Sequence, residues 1–251
     1  GGKMVKMVEV KIKRQASTKD APRWETFNLP YKDGGNVIAL LMEIRRNPVT
    51  SDGKPTTAVV WDCSCLEEVC GACSMIINGQ VRQSCSALVD ALTHPITLEP
   101  LSKFPVIKDL MVDRIALFEN LKKVKAWIPI DGTYPAGPGP RMPERDRSWA
   151  YELSRCMSCG CCMEACPKFN ECSSFMGAAI IAQVRLFNTH PTGEMNKEER
   201  LDALMGPGGV AGCSNAQNCE KVCPKKLPLV KSIAEVNRAI NIHALKRLLF
   251  N

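Results

Sequence analysis

Two stretches of sequence decide the fold of this chain: CMSCGCCMEACP at residues 156–167 and CSNAQNCEKVCP at residues 213–224. The second repeats the cysteine and proline positions of the first, except that Ala216 stands where the first has its second cysteine. The template is C-x2-C-x2-C-x3-C-P, a spacing with which thiolates hold iron–sulfur cubes. The repeat therefore predicts two cluster sites, one of which lacks a thiolate.

The ligands of these two sites follow from the way paired runs share cysteines. Where two such runs occur in one chain, the fourth cysteine of each binds the cluster of the other. Because Ala216 has no ligand atom, we predict one 4Fe-4S and one 3Fe-4S cluster; the alternative is that a stray cysteine or water retains a fourth iron. The predicted ligands are Cys156, Cys159, Cys162 and Cys223 for 4Fe-4S, and Cys166, Cys213 and Cys219 for 3Fe-4S.

A third group of cysteines lies upstream, with gaps of four, two and eleven residues. This is the plant-type 2Fe-2S spacing, in which a tight loop supplies three thiolates and a later strand returns the fourth. The small residues Gly71 and Ala72 allow backbone amides to turn toward the cluster sulfurs. A structural zinc site is the alternative, although zinc is usually bound by two short Cys-x-x-Cys motifs and the first gap here is wider. The predicted 2Fe-2S ligands are Cys65, Cys70, Cys73 and Cys85.

The composition supports metal binding rather than a disulfide scaffold. The chain has 251 residues and fourteen cysteines, with none before Cys63. Its N-terminus has no apolar block suited to a secretory signal, so we expect a cytoplasmic protein with cysteines reserved for metal or redox work. Three cysteines fall outside the spacings and are expected to be unligated: Cys63, Cys161 and Cys172.

The net charge of +7 is concentrated at the two ends of the chain. Residues 1–23 carry seven basic and two acidic side chains, and residues 221–251 carry seven and one, which leaves about −4 between them. Three oxidised clusters would each add about −2, so the loaded protein would be nearly neutral. No aromatic residues are interleaved with the basic ones, and we expect no nucleic-acid partner.

Hydrophobic periodicity predicts mixed α and β structure in the first hundred residues and helices afterwards. Strands are expected at residues 8–12, 59–61 and 74–77, a hairpin at Asn78-Gly79, and a helix at residues 37–44 after an N-cap at Asn36. A helix at residues 109–125 should bury Met111, Ile115 and Phe118, and the Pro- and Gly-rich residues 129–143 should form a linker. Further helices are expected at residues 148–155, 178–187, 197–204 and 230–248.

Taken together, these motifs resemble the iron–sulfur subunit of succinate dehydrogenase and fumarate reductase, respiratory complex II. The resemblance covers essentially the whole chain, including Arg45-Arg46-Asn47-Pro48, the loop from Cys65 to Cys73 and both cysteine runs with their prolines. Residues 65–77 and 122–134 are similar to the version found in Bacillus-type organisms.

The resemblance implies an α+β fold: an N-terminal plant-type β-grasp ferredoxin domain (1–110) followed by an all-α bacterial-type ferredoxin domain (111–251). The implied partners are a flavoprotein subunit carrying FAD, which oxidises succinate, and a membrane-anchor cytochrome b subunit that often holds haem. Electrons would pass from FAD through 2Fe-2S, 4Fe-4S and 3Fe-4S to quinone at the cytoplasmic face of the cell membrane. The same role in a quinol:fumarate reductase is the alternative, and no catalytic residue is expected in this chain.

One departure from the family concerns the quinone. Members that reduce ubiquinone carry a tryptophan shortly after the first Cys-Pro and a histidine after the cysteine equivalent to Cys213, whereas this chain has CPKFNE at residues 166–171 and serine at 214. We therefore favour menaquinone. The candidate quinone-proximal residues are Pro167, Lys168, Ser214 and His190.

Overall fold

The computed structural model describes residues 6–128 and 141–250. The chain divides into two compact units. The first consists of Gly1–Arg114 together with Cys159–Glu164, and the second of Ile115–Ser158 together with Ala165–Asn251.

The first unit is built on a five-stranded mixed sheet. Its strands are β1 Met7–Arg14, β2 Arg23–Pro30, β3 Ser74–Ile77, β4 Gln80–Gln83 and β5 Ile96–Glu99, and their order in the sheet is β2-β1-β5-β3-β4. Strand β1 runs antiparallel to β2 and parallel to β5, and β3 is antiparallel to both β4 and β5. Val8, Val10 and Ile12 alternate into the core, which confirms the predicted first strand. A separate antiparallel pair is formed by β6 Val106–Lys108 and β7 Met111–Val112.

Helix α1, Val37–Arg46, contributes Val37, Leu41 and Ile44 to the same core as the sheet. Asn36 caps its N-terminus by accepting a hydrogen bond from Ala39 N at 2.9 Å, as predicted. The combination of a mixed sheet and one long helix is the β-grasp arrangement that the resemblance implied.

The hairpin between β3 and β4 is also confirmed. Asn78 and Gly79 both have positive φ angles, 49° and 76°, as a two-residue turn between twisted strands requires. The strand predicted at residues 59–61 was wrong, although Val59 is buried. Val60 donates its N–H to the Asp109 carboxylate and accepts from Leu110 N, so its backbone is satisfied without a neighbouring strand.

The second unit is helical. Its helices are α2 Ile115–Lys123, α3 Glu144–Ser154, α5 Ala178–Thr189, α6 Lys197–Met205, α7 Asn218–Lys221 and α8 Leu229–Phe250. Helix α5 is central and contacts α2, α3, α6 and α8. Residues 178–182 of α5 are all buried, so this helix is apolar on more than one side. The helices predicted to begin at 178, 197 and 230 are confirmed within one residue. The short helix α4, Cys161–Glu164, belongs to the first unit.

The helix predicted for residues 109–125 was wrong in its start and its buried face. It begins at Ile115, and both Ile115 and Phe118 are exposed while Leu117 is buried. Met111 lies in β7, and Asp109 is held in the first unit by an ion pair with Arg14, a tertiary contact that overrides the local periodicity. Most of the predicted linker, residues 129–140, lies outside the described residues. No helix within residues 6–128 and 141–250 combines the length and apolar character that crossing a bilayer requires.

Candidate iron–sulfur sites

The loop before β3 wraps its backbone around the sulfur of Cys65. The N–H groups of Glu67, Val69 and Cys70 donate to Cys65 Sγ at 3.4, 3.3 and 3.3 Å. These hydrogen bonds lower the pKa of the Cys65 thiol to about 7. The residues that turn the chain inward have left-handed φ angles and are Leu66 (61°), Glu68 (56°) and Gly71 (73°).

Cys70 sits in the same nest of amides. Its sulfur accepts from Cys65 N at 3.5 Å and from Ala72 N at 3.4 Å. Successive backbone N–H groups that point inward form a concavity suited to an anion. This half of the site therefore fits the thiolates and sulfides of a negatively charged 2Fe-2S cluster.

The β3–β4 hairpin brings the other two predicted ligands together. Cys73 immediately precedes β3 and Cys85 follows β4 by two residues, and Ser84 N donates to Cys73 O at 3.1 Å. Both cysteines are buried. Burial, reinforced by the neighbouring Cys73, raises the pKa of Cys85 to about 11. A buried thiolate needs a positive charge beside it, so this pair fits a site for a metal cation.

Three thiols of the second unit share one cavity. Cys166, Cys213 and Cys219 line one small open cavity, and the methyl side chain of Ala216 lines it as well. Burial, with a smaller contribution from the other two thiols, raises the pKa of Cys219 to about 11. The donor set consists of three sulfurs with no ligand atom at the position of Ala216, which fits a cluster with three irons.

The four predicted 4Fe-4S ligands are divided between the units. Cys159 and Cys162 belong to the first unit, whereas Cys156 and Cys223 belong to the second. A hydrogen bond with Cys161 and burial raise the pKa of Cys159 well above its ordinary value. Within the first unit, Cys161 and Cys162 are both buried in the short helix α4.

The sequence repeat is also a repeat of backbone conformation. Ser158 and Gly160 have left-handed φ angles of 50° and 84°, and their counterparts Asn215 and Gln217 have 55° and 60°. The first cysteine N–H of each run donates to the carbonyl three residues earlier, at 3.1 and 3.0 Å. Helices α4 and α7 occupy the same positions in the two runs. Both runs therefore fold locally in the same way, although only the first has all four cysteines.

The candidate quinone-proximal residues do not all lie together. Pro167 and Ser214 line the cavity of the three thiols, and Lys168 is an exposed neighbour of Pro167. His190 follows α5, accepts from Thr192 N and Gly193 N through its Nδ1 atom, and lines a different cavity.

Ser74 and Gln83 are buried polar residues near the predicted 2Fe-2S ligands that the sequence reasoning missed. They are paired across β3 and β4. The sequence could have indicated this pair, because a hairpin that turns at Asn78-Gly79 fixes the register of the two strands. Two polar residues that face each other in a core are unusual.

The comparisons with known proteins agree with this geometry. Residues 9–119 match the family described as a 2Fe-2S iron-sulfur cluster binding domain, and residues 152–227 match the 4Fe-4S dicluster domain. The fold and sites thus define an iron–sulfur protein in which a plant-type ferredoxin domain precedes a helical dicluster domain.

The chain is 60% identical over 241 residues to the succinate dehydrogenase iron-sulfur subunit of Bacillus subtilis (strain 168), covering 96% of this chain and 95% of that one. It is 35% identical to the fumarate reductase iron-sulfur subunit of Wolinella succinogenes, over 71% of this chain and 76% of the relative. The chain belongs to the family of iron–sulfur subunits of succinate dehydrogenases and fumarate reductases. A chain of the Mycobacterium smegmatis Sdh1 complex in the apo form has the same fold, with a TM-score of 0.78 over 95% of this chain and 97% of that chain at 18% identity.

Proposed function

We propose that this chain is the electron-transfer subunit of a succinate:quinone oxidoreductase. A flavoprotein partner oxidises succinate at its FAD, and this chain conducts the electrons to menaquinone at a cytochrome b membrane anchor that holds haem. The subunit is peripheral and lies on the cytoplasmic face of the membrane. The 60% identity to a succinate dehydrogenase subunit over nearly the full length of both chains supports electron flow from succinate to quinone.

The proposed ligands are those the spacing predicts. Domain 1–110 holds 2Fe-2S through Cys65, Cys70, Cys73 and Cys85, and domain 111–251 contains the two cysteine runs. A bound cluster supplies a one-electron carrier, and the residues around it set how readily that carrier is reduced. The amides directed at Cys65 and Cys70 stabilise negative charge and so favour reduction of the first carrier.

The observation that carries the proposal is the cavity shared by Cys166, Cys213, Cys219 and Ala216. Three cysteines and an alanine distinguish this site from the other proposed site, whose four ligands are all cysteines. A chain with three different clusters is suited to conducting electrons rather than to transforming a substrate. Pro167 and Ser214 on the same cavity support electron exit to quinone at this end.

The second candidate is the same role in a quinol:fumarate reductase, which the similarity to the Wolinella succinogenes subunit favours. Both functions use the same set of clusters and differ in the direction of electron flow. Relative rates of succinate oxidation and fumarate reduction by one purified complex separate them.

Purification of the tagged chain from membranes tests the proposal. We expect a brown complex that contains a flavoprotein and a haem-bearing membrane subunit, and in which succinate reduces the clusters. A colourless chain that carries zinc and has no flavoprotein partner would contradict it.

A further inference from the structure

A cluster of buried polar side chains in the first unit touches both the 2Fe-2S loop and the first cysteine run. Gln83 is fully buried, and its Oε1 lies 3.4 Å from Cys73 Sγ. Its Nε2 donates to Ser74 Oγ at 2.7 Å and lies 3.4 Å from Cys161 Sγ. One amide therefore contacts a proposed 2Fe-2S ligand at one end and, at the other, a cysteine between two proposed 4Fe-4S ligands.

The backbone around this amide is fixed by two further side chains. Ser74 Oγ lies 3.0 Å from Gly71 O and 2.9 Å from Cys159 O. Arg114 Nη1 donates to the same two carbonyls, at 2.7 and 3.4 Å. Gly71 lies between the ligands Cys70 and Cys73, so the loop of one site and the run of the other are joined within a single unit.

Binding of the 2Fe-2S cluster would change the hydrogen-bonding role of Cys73 among these polar side chains. As a free thiol, Cys73 donates its S–H to Gln83 Oε1. As a cluster ligand it has lost that proton, and its sulfur only accepts hydrogen bonds. A carbonyl oxygen facing a thiolate in a buried site would be left without a donor, which is costly.

Reversal of the Gln83 amide removes this conflict. Nε2 then donates to Cys73 Sγ, and Oε1 accepts from the Ser74 hydroxyl or the Cys161 thiol, both of which carry a proton to donate. The carbonyls of Gly71 and Cys159 keep Arg114 as their donor. Each of these polar groups then keeps a hydrogen-bond partner.

We propose that Gln83 is a positioning residue of the 2Fe-2S site, one that donates an N–H···S hydrogen bond to Cys73 and links this ligand to Cys161. The inference rests on the proposed function. A donor on a ligand sulfur stabilises the more negative, reduced form of a cluster, so Gln83 raises the reduction potential of the 2Fe-2S site.

A redox titration of the complex, followed by EPR, tests this with the variant Gln83→Met, which keeps the length of the side chain and removes the amide. We expect the equilibrium constant for reducing the 2Fe-2S site to fall about tenfold, equivalent to about 59 mV for one electron. The 3Fe-4S potential should stay unchanged. The matched control is Gln80→Met, the same change at an exposed position of the same strand, which should leave the 2Fe-2S potential unchanged.

A second measurement uses the wild-type complex, so its result does not depend on whether a variant folds. Complex from a glutamine-requiring strain, fed glutamine labelled with ¹⁵N in the side chain, should show a ¹⁵N coupling to the reduced 2Fe-2S cluster by pulsed EPR. A wild-type 2Fe-2S signal without that coupling, or an unshifted potential in loaded Gln83→Met, would overturn the role of Gln83 alone. The absence of any 2Fe-2S signal from the wild-type complex would instead overturn the proposed function.

Discussion

Asp109 offers a test of how the first unit stabilises the loop that carries Cys65. The side chain is buried and ion-paired with the equally buried Arg14. Its Oδ1 accepts from Arg14 Nε at 2.9 Å and from Gln15 N at 3.2 Å, and its Oδ2 accepts from Arg14 Nη2 and Val60 N, both at 3.1 Å. Val60 lies just before the loop that carries Cys65, so Asp109 anchors the entrance to the 2Fe-2S site.

The variant Asp109→Asn keeps the size of the side chain, and asparagine tolerates the left-handed φ of 50° at this position. An amide NH₂ in place of Oδ2 would face two donors, and Arg14 would lose one of its two carboxylate partners, keeping Glu25. Breaking a buried ion pair by removing one partner costs about 3 to 5 kcal/mol. For a unit of this size we therefore expect the midpoint of thermal unfolding to fall by about 10 °C or more.

The assay is loss of the visible circular dichroism of the 2Fe-2S cluster on heating, measured on the intact complex. The control is Asp52→Asn, because Asp52 is an exposed partner of Lys54 and its replacement should leave the midpoint unchanged. Equal midpoints for Asp109→Asn and the control would refute the reasoning, since the apolar core alone would then hold the unit together.

Three further predictions concern the second unit. Ala216→Cys should supply a fourth thiolate, abolish the three-iron EPR signal of the oxidised complex and lower the potential of that site; persistence of the full signal would contradict the ligand assignment. Lys168→Ala should slow quinone reduction while leaving succinate-to-dye transfer nearly intact, whereas Lys225→Ala, at the same position of the other run, should change neither rate. The hydrogen bond with His243 holds the pKa of Asp202 below its usual value. The ionised Asp202 carboxylate therefore stabilises the folded state above about pH 4, and this stabilisation is lost as the pH falls through the lowered pKa. Asp202→Asn should remove this part of the acid sensitivity of unfolding, and an unchanged pH profile would refute it.

The elements predicted correctly from sequence are those determined by neighbouring residues. The alternation of Val8, Val10 and Ile12, the cap at Asn36 and the turn at Asn78-Gly79 each act over a few residues. The cysteine spacings are equally local, because each run folds by its own backbone hydrogen bonds.

The features that sequence reasoning missed depend on distant contacts. Strand β5 exists because it pairs in parallel with β1, more than eighty residues earlier. Residues 109–114 leave the helical pattern because Asp109 meets Arg14. The contact of Gln83 with Cys161 joins residues 78 positions apart, and nothing in the local pattern around either one signals it.

Iron and acid-labile sulfide analysis of the purified complex, combined with EPR of its oxidised and reduced states, tests the three-cluster assignment. One 2Fe-2S, one 4Fe-4S and one 3Fe-4S cluster predict about nine irons and about ten sulfides per chain. The oxidised complex should show a three-iron signal, and succinate should produce the 2Fe-2S signal. About ten irons without a three-iron signal would show that the Ala216 site retains a fourth iron, and zinc in place of iron would contradict electron transfer by this chain.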